Sequence, residues 1–212
     1  MADDKGVKLT TAGNFNRKFV ERMVRDFRWP GFEPDLVWRY SKVINEPDYV
    51  PLNFLHALID LAGLGRKHKG TLRLSRLGRS LLPLEAAGEL NTVLFDVTCS
   101  RYNLAYLDRR SIKENFQPQI GLTLFLMSKV AETPRSAEEL LAITTLPIDP
   151  PQSDIPFHPE AIFRVRVLRY LEWFGLLERV RMAANDQFGG QHLYRKTPLF
   201  DRFLSFDVEA LA

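Results

Sequence analysis

Cysteine and histidine are scarce in this chain, and their scarcity excludes several kinds of site. The 212 residues include one cysteine, Cys99, so an internal disulfide cannot form. The four histidines are scattered and lack the spacing of zinc ligands. We therefore expect no structural metal and no other cofactor. Cys99 follows the apolar residues Val93, Leu94, Phe95 and Val97, which predicts a buried structural thiol rather than a nucleophile.

The chain also lacks a hydrophobic run long enough for a membrane span. Its longest apolar stretch, residues 120–127, is interrupted by Gly121 and Thr123 and is far shorter than the roughly 20 residues that a bilayer requires. The first six residues carry acids where a signal peptide carries bases, and no apolar stretch follows them. These absences predict a cytoplasmic protein without a membrane partner.

No catalytic pattern is visible in the sequence. It shows no nucleophile with a neighbouring base, no carboxylate pair, no metal-ligand cluster and no phosphate-binding glycine loop. Asp60 and Glu172 take matching places in an internal repeat, but a single acid on an apolar helix is most simply a solvated or helix-capping group. We therefore expect a binding protein and not an enzyme.

What is present is the composition of a folded protein, 45% hydrophobic and 26% charged, with 15 Phe. The length allows two domains of about 100 residues each. Charge is unevenly divided, since residues 1–84 hold 15 Lys and Arg against 9 Asp and Glu, whereas residues 85–212 hold 14 against 17. The basic first part indicates an anionic partner for the N-terminal region.

One pattern occurs twice along the chain. In residues 55–78 and again in residues 167–200, an apolar helix stops at a glycine, which readily adopts the left-handed conformation that ends helices. The two glycines are Gly63 and Gly175. Alternating apolar residues then predict a two-stranded hairpin, and Ser75 or Thr197 is placed to cap the next helix.

This ending resembles that of winged-helix domains, and each copy has room upstream for two earlier helices. The sequence therefore predicts a mainly α protein with small β-hairpin wings, in which two winged-helix modules of the helix-turn-helix type are joined by a long helix. The earlier helices are expected after Asn14 or Asn16 through Phe27, at residues 34–43, at Ile120–Val130, and from a capping box at Ser136 through Leu141.

The predicted boundaries are residues 1–84 for the N-terminal module, 85–111 for the bridging helix and 112–212 for the C-terminal module. The helix is expected over residues 84–110, where Leu90, Leu94, Val97, Tyr102 and Tyr106 form an apolar series that should pack across both modules. Five prolines in residues 147–159 predict an irregular loop inside the second module.

Three segments of the first module are VKLTTAGNF at residues 7–15, LIDLAGL at 58–64 and KGTLRLSRLG at 69–78. Together they resemble the C-terminal region of a bacterial family described as plasmid open-reading-frame-three-like, over roughly residues 1–85. The resemblance implies a bacterial, mobile-element context. No activity is established for that family, so no functional residue is carried over from it.

A nucleic-acid contact is expected at the first wing. Winged helices usually place their third helix in the major groove and the wing along the backbone, where Lys and Arg meet phosphates. The predicted wing residues are Arg66, Lys67, His68, Lys69 and Arg73, which carry four formal positive charges within eight residues. The third helix offers only Asn53 and His56 beside the acid Asp60, so base recognition by that helix is not favoured.

In the second copy, steps of about 100° per residue place Ile162, Arg166, Arg169 and Trp173 on one face of the third helix. Arg166 and Arg169 are candidate nucleic-acid contacts, although the same composition is found at protein interfaces and in buried packing. The wing of this copy, residues 182–191, includes an acid and no base, so it gives no indication of phosphate binding.

Two functions remain open from the sequence. In the first, the chain is a DNA-binding protein, such as a transcriptional regulator, whose basic N-terminal wing contacts the phosphates of double-stranded DNA. In the second, the tandem winged helices form a scaffold that binds another protein or a second copy of the chain; this alternative is an analogy at the level of fold. The position of the charge distinguishes the two functions. DNA is favoured if one face gathers Arg66, Lys67, Lys69, Arg17 and Lys18, whereas a large exposed apolar face favours a protein partner.

Overall fold

Helices make up most of the part of the chain that the structure describes, and each of the two compact units adds one antiparallel sheet of three short strands. The computed structural model describes residues 6–108, 116–147, 158–181 and 192–207. The units divide between Asn103 and Leu104. A mainly helical fold with small sheets is therefore confirmed.

The first unit contains three strands and five helices in its described part. In chain order they are β1 (Val7–Lys8), α1 (Arg17–Asp26), α2 (Pro34–Tyr40), α3 (Val50–Leu61), β2 (Gly65–His68), β3 (Thr71–Leu74), α4 (Arg76–Ser80) and α5 (Ala87–Ser100). Strand β3 lies in the middle of the sheet, with Val7 opposite Leu72 on one side and Lys67 opposite Leu72 on the other.

The second unit also contains three strands and five α-helices in its described part, with different lengths. Its described elements are α6 (Ile120–Val130), β4 (Arg135–Ser136), α7 (Ala137–Thr144), α8 (Pro159–Phe163), α9 (Arg169–Trp173), β5 (Leu177–Arg181), β6 (His192–Lys196) and α10 (Pro198–Phe203). A π-helical turn, Arg164–Leu168, joins α8 to α9 without a break. Strand β6 is the central strand, between β4 and β5.

Several predicted helix starts are confirmed. The Asn16 side chain caps α1 by accepting a hydrogen bond from the Phe19 N–H at 3.2 Å. Ser136 and Glu139 form the expected capping box at the start of α7. The hydrogen bonds from the backbone and hydroxyl of Ser136 lower the pKa of Glu139, because they stabilise its carboxylate form.

The two glycine stops have the same geometry. Gly63 has a φ of +66° and Gly175 a φ of +70°. The next residue in each copy donates its N–H back into the helix, from Leu64 to the Ile59 carbonyl at 3.0 Å and from Leu176 to the Leu171 carbonyl at 2.8 Å. These bonds turn the chain out of the helix and into the first strand of the hairpin.

The long helix expected at residues 84–110 is shorter in the structure. Helix α5 ends at Ser100 and belongs to the first unit, where it packs against α3 and where Phe54 and Tyr102 meet edge to face with ring centroids 5.1 Å apart. A helix bridging two modules stays a prediction. The expected proline-rich loop at 147–159 and the second wing at 182–191 lie mainly or wholly outside the described residues.

Each unit has its own hydrophobic core. The first core gathers Phe15, Val20, Val24, Ile44, Tyr49, Leu52 and Leu72 from α1, α3, the connections and the sheet. In the second unit the fully buried side chains include Met127, Leu140, Phe163, Leu168, Tyr194 and Phe200. Within the described residues, no helix is long and apolar enough to span a bilayer.

The glycine stops generate the first prediction. Replacing Gly63 by Ala should lower the free energy of unfolding by about 1–2 kcal/mol, because a side chain disfavours the left-handed conformation. No atom lies within 4 Å of the added Cβ, so any loss comes from the backbone and not from a clash. Urea unfolding of the Gly63→Ala variant measures the change in the free energy of unfolding. Gly88→Ala is the control, since Gly88 lies in α5 with equally open surroundings and should leave stability unchanged or raised.

Candidate functional site

The candidate site is the hairpin of the first unit. Its strands are joined by a two-residue turn in which Lys69 has a φ of +46° and Gly70 a φ of +70°. Positive φ at both central positions is the conformation that matches the twist of a tight hairpin. The turn consists of Lys69 and Gly70 alone, because Lys67 and His68 belong to β2. It holds Lys69 at the exposed end of the hairpin.

The strand register divides the predicted wing residues between two faces. Arg66 lies opposite Arg73, and His68 lies opposite Thr71, so these four share one face. Lys67 lies opposite Leu72 on the other face, which packs against the core. Arg66, His68 and Lys69 are exposed and Arg73 is half-buried. We call Arg66, His68, Lys69 and Arg73 the basic hairpin face.

Lys67 has a structural partner. Its Nζ lies 2.9 Å from a carboxylate oxygen of Asp60, in the last turn of α3. The matching residues of the second unit make the same pair, with Arg179 on β5 and Glu172 on α9 joined by two hydrogen bonds of 2.8 Å. Those bonds raise the pKa of Arg179. The shared ion pair therefore ties the third helix to the hairpin in both copies, and Asp60 is more than a solvated acid.

The two hairpins differ at the adjacent pair of positions. In the first, Arg66 faces Arg73 directly across the strands, so two like charges are neighbours. In the second, the corresponding residues are Glu178 and Arg195, whose carboxylate and guanidinium Nε are 2.9 Å apart. Like charges directly opposite each other destabilise a hairpin, whereas opposite charges stabilise it. The first hairpin thus carries positive charge that its own strands do not neutralise.

The two predicted nucleic-acid contacts on α3, Asn53 and His56, differ in burial. Asn53 is half-buried on the helix surface. His56 is 7% exposed, its Nδ1 is 2.6 Å from Glu46 Oε1, and its ring stacks on Phe15 with centroids 4.3 Å apart. The prediction that His56 reaches nucleic acid is therefore wrong, because the ring is held inside the unit.

The Glu46 carboxylate organises this buried polar cluster. Glu46 is 1% exposed and accepts hydrogen bonds from the Phe15 N–H and from His56. It lies in a short 3₁₀ turn, Glu46–Asp48, just before α3. The carboxylate therefore connects the segment before α1 to the middle of α3, which fixes the helix behind the hairpin.

The predicted nucleic-acid contact of Arg166 also disagrees with the structure. The residue is 2% exposed, and its Nε lies 2.6 Å from an Asp108 carboxylate that is 4% exposed. A side chain enclosed in this way cannot meet phosphates, and the predicted contact is wrong. Arg169 is half-buried, with its guanidinium carbon 5.2 Å from the Tyr170 ring centroid and 5.3 Å from that of Trp173. This stacking occupies Arg169 with aromatic neighbours.

Cys99 is half-buried, so it is less enclosed than the predicted buried thiol. Burial, with a smaller contribution from the charge of Asp96, raises the pKa of its thiol to about 12. At neutral pH the thiol is therefore protonated, and it is a poor nucleophile. Across the described ranges, no group of three or more His, Cys, Asp or Glu side chains is placed to hold a metal ion.

A second set of basic side chains lies near the hairpin, and the sequence had singled out only Lys18 among them. Lys8, Lys18, Arg22 and Arg79 line a cavity together with Arg73. Lys18 and Arg22 are one helical turn apart on α1, a spacing that the sequence does show. Lys8 and Arg79 could not be assigned to the same place, because the sheet and α4 bring them there.

One family model matches the first part of the chain. Residues 1–89 match the family model described as the Y4jL N-terminal domain. The chain is also similar to the uncharacterised protein y4jL of Sinorhizobium fredii (strain NBRC 101917 / NGR234), with 31% identity over 138 residues. That alignment covers 64% of this chain and 60% of the relative, so the chain spans less than two thirds of the relative's length. No solved structure matches.

The Glu46 cluster generates a prediction about stability. Glu46→Ala should lower the free energy of unfolding by roughly 2 kcal/mol or more, because it leaves the buried Phe15 N–H and the His56 ring without their acceptor. Urea unfolding followed by tryptophan fluorescence measures the effect. Glu89→Ala, which removes an exposed acid from α5, is the matched control and should have little effect. Equal stability of the two variants would contradict the role assigned to Glu46.

Arg166 gives a second stability prediction. Arg166→Ala should destabilise the protein by about 3 kcal/mol, since it removes the cationic partner of the buried Asp108 carboxylate. Arg164→Ala, which removes an exposed arginine from the same π-helical turn, should change stability by less than about 0.5 kcal/mol. Thermal unfolding of both variants checks the difference. A small effect of Arg166→Ala on stability would contradict the assignment of Arg166 as a buried partner of Asp108.

Proposed function

We propose that the chain is a non-enzymatic binding protein whose first unit contacts the phosphates of double-stranded DNA through the basic hairpin face. The two units would then be tandem winged-helix modules. The mobile-element context expected from the plasmid open-reading-frame-three-like resemblance of residues 1–85 stays a prediction, since the family model that matches residues 1–89 is the Y4jL N-terminal domain. The relative in Sinorhizobium fredii is consistent with a bacterial context.

Chain order and sheet order support the winged-helix assignment. In the second unit, α6, β4, α7, the helix from α8 to α9 and the strands β5 and β6 follow one another, and β4 pairs with β6. This is the sequence of elements expected for a winged helix. In the first unit β1 precedes α1, yet it pairs with β3 and so takes the same place in the sheet. Strands β1 and β4 thus have equivalent positions in the two sheets.

The observation that carries the DNA proposal is the unneutralised Arg66–Arg73 pair. Like charges at directly opposed strand positions are unfavourable, and a phosphate contacted by Arg66 would lower that cost while accepting hydrogen bonds from its guanidinium. His68 and the exposed Lys69 extend the same face to the end of the hairpin. In the second unit the matching positions hold Glu178 and Arg195, so Arg195 already has an anionic partner.

The geometry favours contact with the backbone over recognition of bases. Helix α3 ends with Asp60 engaged by Lys67, and His56 is buried, so Asn53 is the one polar residue of the predicted α3 contacts that stays near the surface. Contacts with phosphates carry no direct sequence information. We therefore expect binding that depends strongly on salt and weakly on sequence.

The test is a fluorescence-anisotropy titration of a labelled mixed-sequence duplex at several salt concentrations. Affinity should fall steeply as salt rises. The double variant Arg66→Ala/Lys69→Ala should bind more weakly, and the slope of log affinity against log salt should decrease by about 1.8, because each lost phosphate contact contributes about 0.9. Binding by the intact chain to unrelated duplexes of equal length should be similar.

The control variant Arg195→Ala/Arg202→Ala removes two exposed cations from the second unit, one of them on its hairpin. It lowers the net charge by the same amount and should leave DNA affinity unchanged. Equal losses in the two double variants would show that only overall charge matters. Absence of binding by the intact chain at low micromolar protein and low salt would reject the DNA proposal.

A scaffold function is the second candidate, and exposed apolar side chains favour it. Around and after α4, Leu77 is 45% exposed, Leu82 59% and Leu84 85%. Side chains of this size in one short segment suit a protein surface that is covered by a partner or by a second copy of the chain. Failure to bind DNA, combined with concentration-dependent self-association in sedimentation experiments, would support this function instead.

A further inference from the structure

A cavity of about 550 Å³ opens in the first unit, bounded by the start of α1, the sheet and α4. Its apolar wall includes Phe15, Phe19, Ile59, Leu72 and Leu82. The volume is in the range of sites that enclose small organic molecules, and an apolar wall with a few polar groups is their usual lining. The exposed residues of the basic hairpin face, Arg66, His68 and Lys69, do not line it.

Every charged side chain among the described residues that line the cavity is positive. They are Lys8, Lys18, Arg22, Arg73 and Arg79. Arg22 also pairs with Asp26 at 3.3 Å, but both of those side chains are more than half exposed, where an ion pair contributes little. Cations from α1, β1 and β3, with no acid among the described lining residues, create a positive potential inside an apolar cleft.

Arg73 is the one half-buried cation among the described lining residues. The atom Nε of Arg73 is buried and has no hydrogen-bond partner within the described part of the chain. A buried donor without an acceptor is unfavourable, and a guanidinium offers donors in the planar arrangement that fits a carboxylate, sulfonate or phosphate group. The start of α1 adds to this, since Asn16, Lys18 and Phe19 line the cavity at the positive end of the helix dipole.

We propose that this cavity binds a small amphipathic anion. Its anionic group is held by Arg73 and by Lys18 and Arg22 of α1, and its apolar body packs against Phe15, Phe19 and Leu82. The combination selects for the ligand class: a neutral apolar molecule offers the buried Nε of Arg73 no acceptor, and a bare inorganic anion leaves the apolar wall exposed to water.

The test compares two probes that share their aromatic body and differ in charge. The anion 1-anilinonaphthalene-8-sulfonate should bind the intact chain at one site, measured by calorimetry and by fluorescence, and should bind at least about tenfold more tightly than neutral N-phenyl-1-naphthylamine. The variant Lys18→Ala/Arg22→Ala should weaken the anionic probe by about tenfold and leave the neutral probe nearly unchanged.

Two control variants locate the site. Arg17→Ala/Arg25→Ala removes two exposed cations of α1 that do not line the cavity, and it should leave the affinity for both probes unchanged. Arg66→Ala/Lys69→Ala should also leave it unchanged, which separates this cavity from the proposed DNA contact. Equal affinity for the two probes, equal losses in the two α1 variants, or no binding of the anion at 100 µM would overturn the proposal.

Discussion

The arrangement of both units depends on the backbone hydrogen bonds of the residue that follows the glycine stop. In the first unit Leu64 donates its N–H to Ile59 in α3 and accepts a hydrogen bond from the Ser75 N–H at 2.9 Å. Leu176 does the same between Leu171 and Thr197. One peptide segment thus holds the end of the third helix, the base of the hairpin and the start of the next helix together. Because both of its polar groups are satisfied, the segment can be buried.

Side chains close this junction in each copy. The pairs Asp60–Lys67 and Glu172–Arg179 connect the last turn of the helix to the first strand of the hairpin. The hydroxyls of Ser75 and Thr197 cap the following helices. Gly78 lies so close to the Leu64 carbonyl oxygen that an added Cβ would be 2.1 Å from it, so α4 packs directly on this backbone. The hairpin is therefore held at a fixed angle to its helix.

On this common frame the two hairpins differ in their outer charges. One position holds Arg66 in the first copy and Glu178 in the second, and its cross-strand neighbour is an arginine in both, Arg73 and Arg195. A single difference in charge converts an internal ion pair into a pair of like charges. In the second hairpin Glu178 neutralises Arg195. The first hairpin has positive groups on its outer face and a buried arginine nitrogen beside a cavity.

The sequence alone determined the elements whose signals are local. Glycine stops, Asn16, Ser75, Ser136 and Thr197 as helix caps, and the apolar helix Ile120–Val130 all depend on residues within a few positions of one another. Two-residue strands such as β1 and β4 carry no such signal, because they exist only by pairing with a distant strand. The π-helical turn is likewise invisible in the pattern of apolar residues.

The tertiary structure decided which charged residues are accessible. His56 and Arg166 appear polar and available on a helical wheel, yet the first is enclosed with Glu46, ten residues away, and the second with Asp108, 58 residues away. Strand register separated Lys67 from Arg66, and packing of the sheet with α1 and α4 assembled the cations around the cavity. Composition and spacing fix where charge occurs along the chain. Only the packing of distant segments determines whether a charge meets an internal partner or remains for an external one.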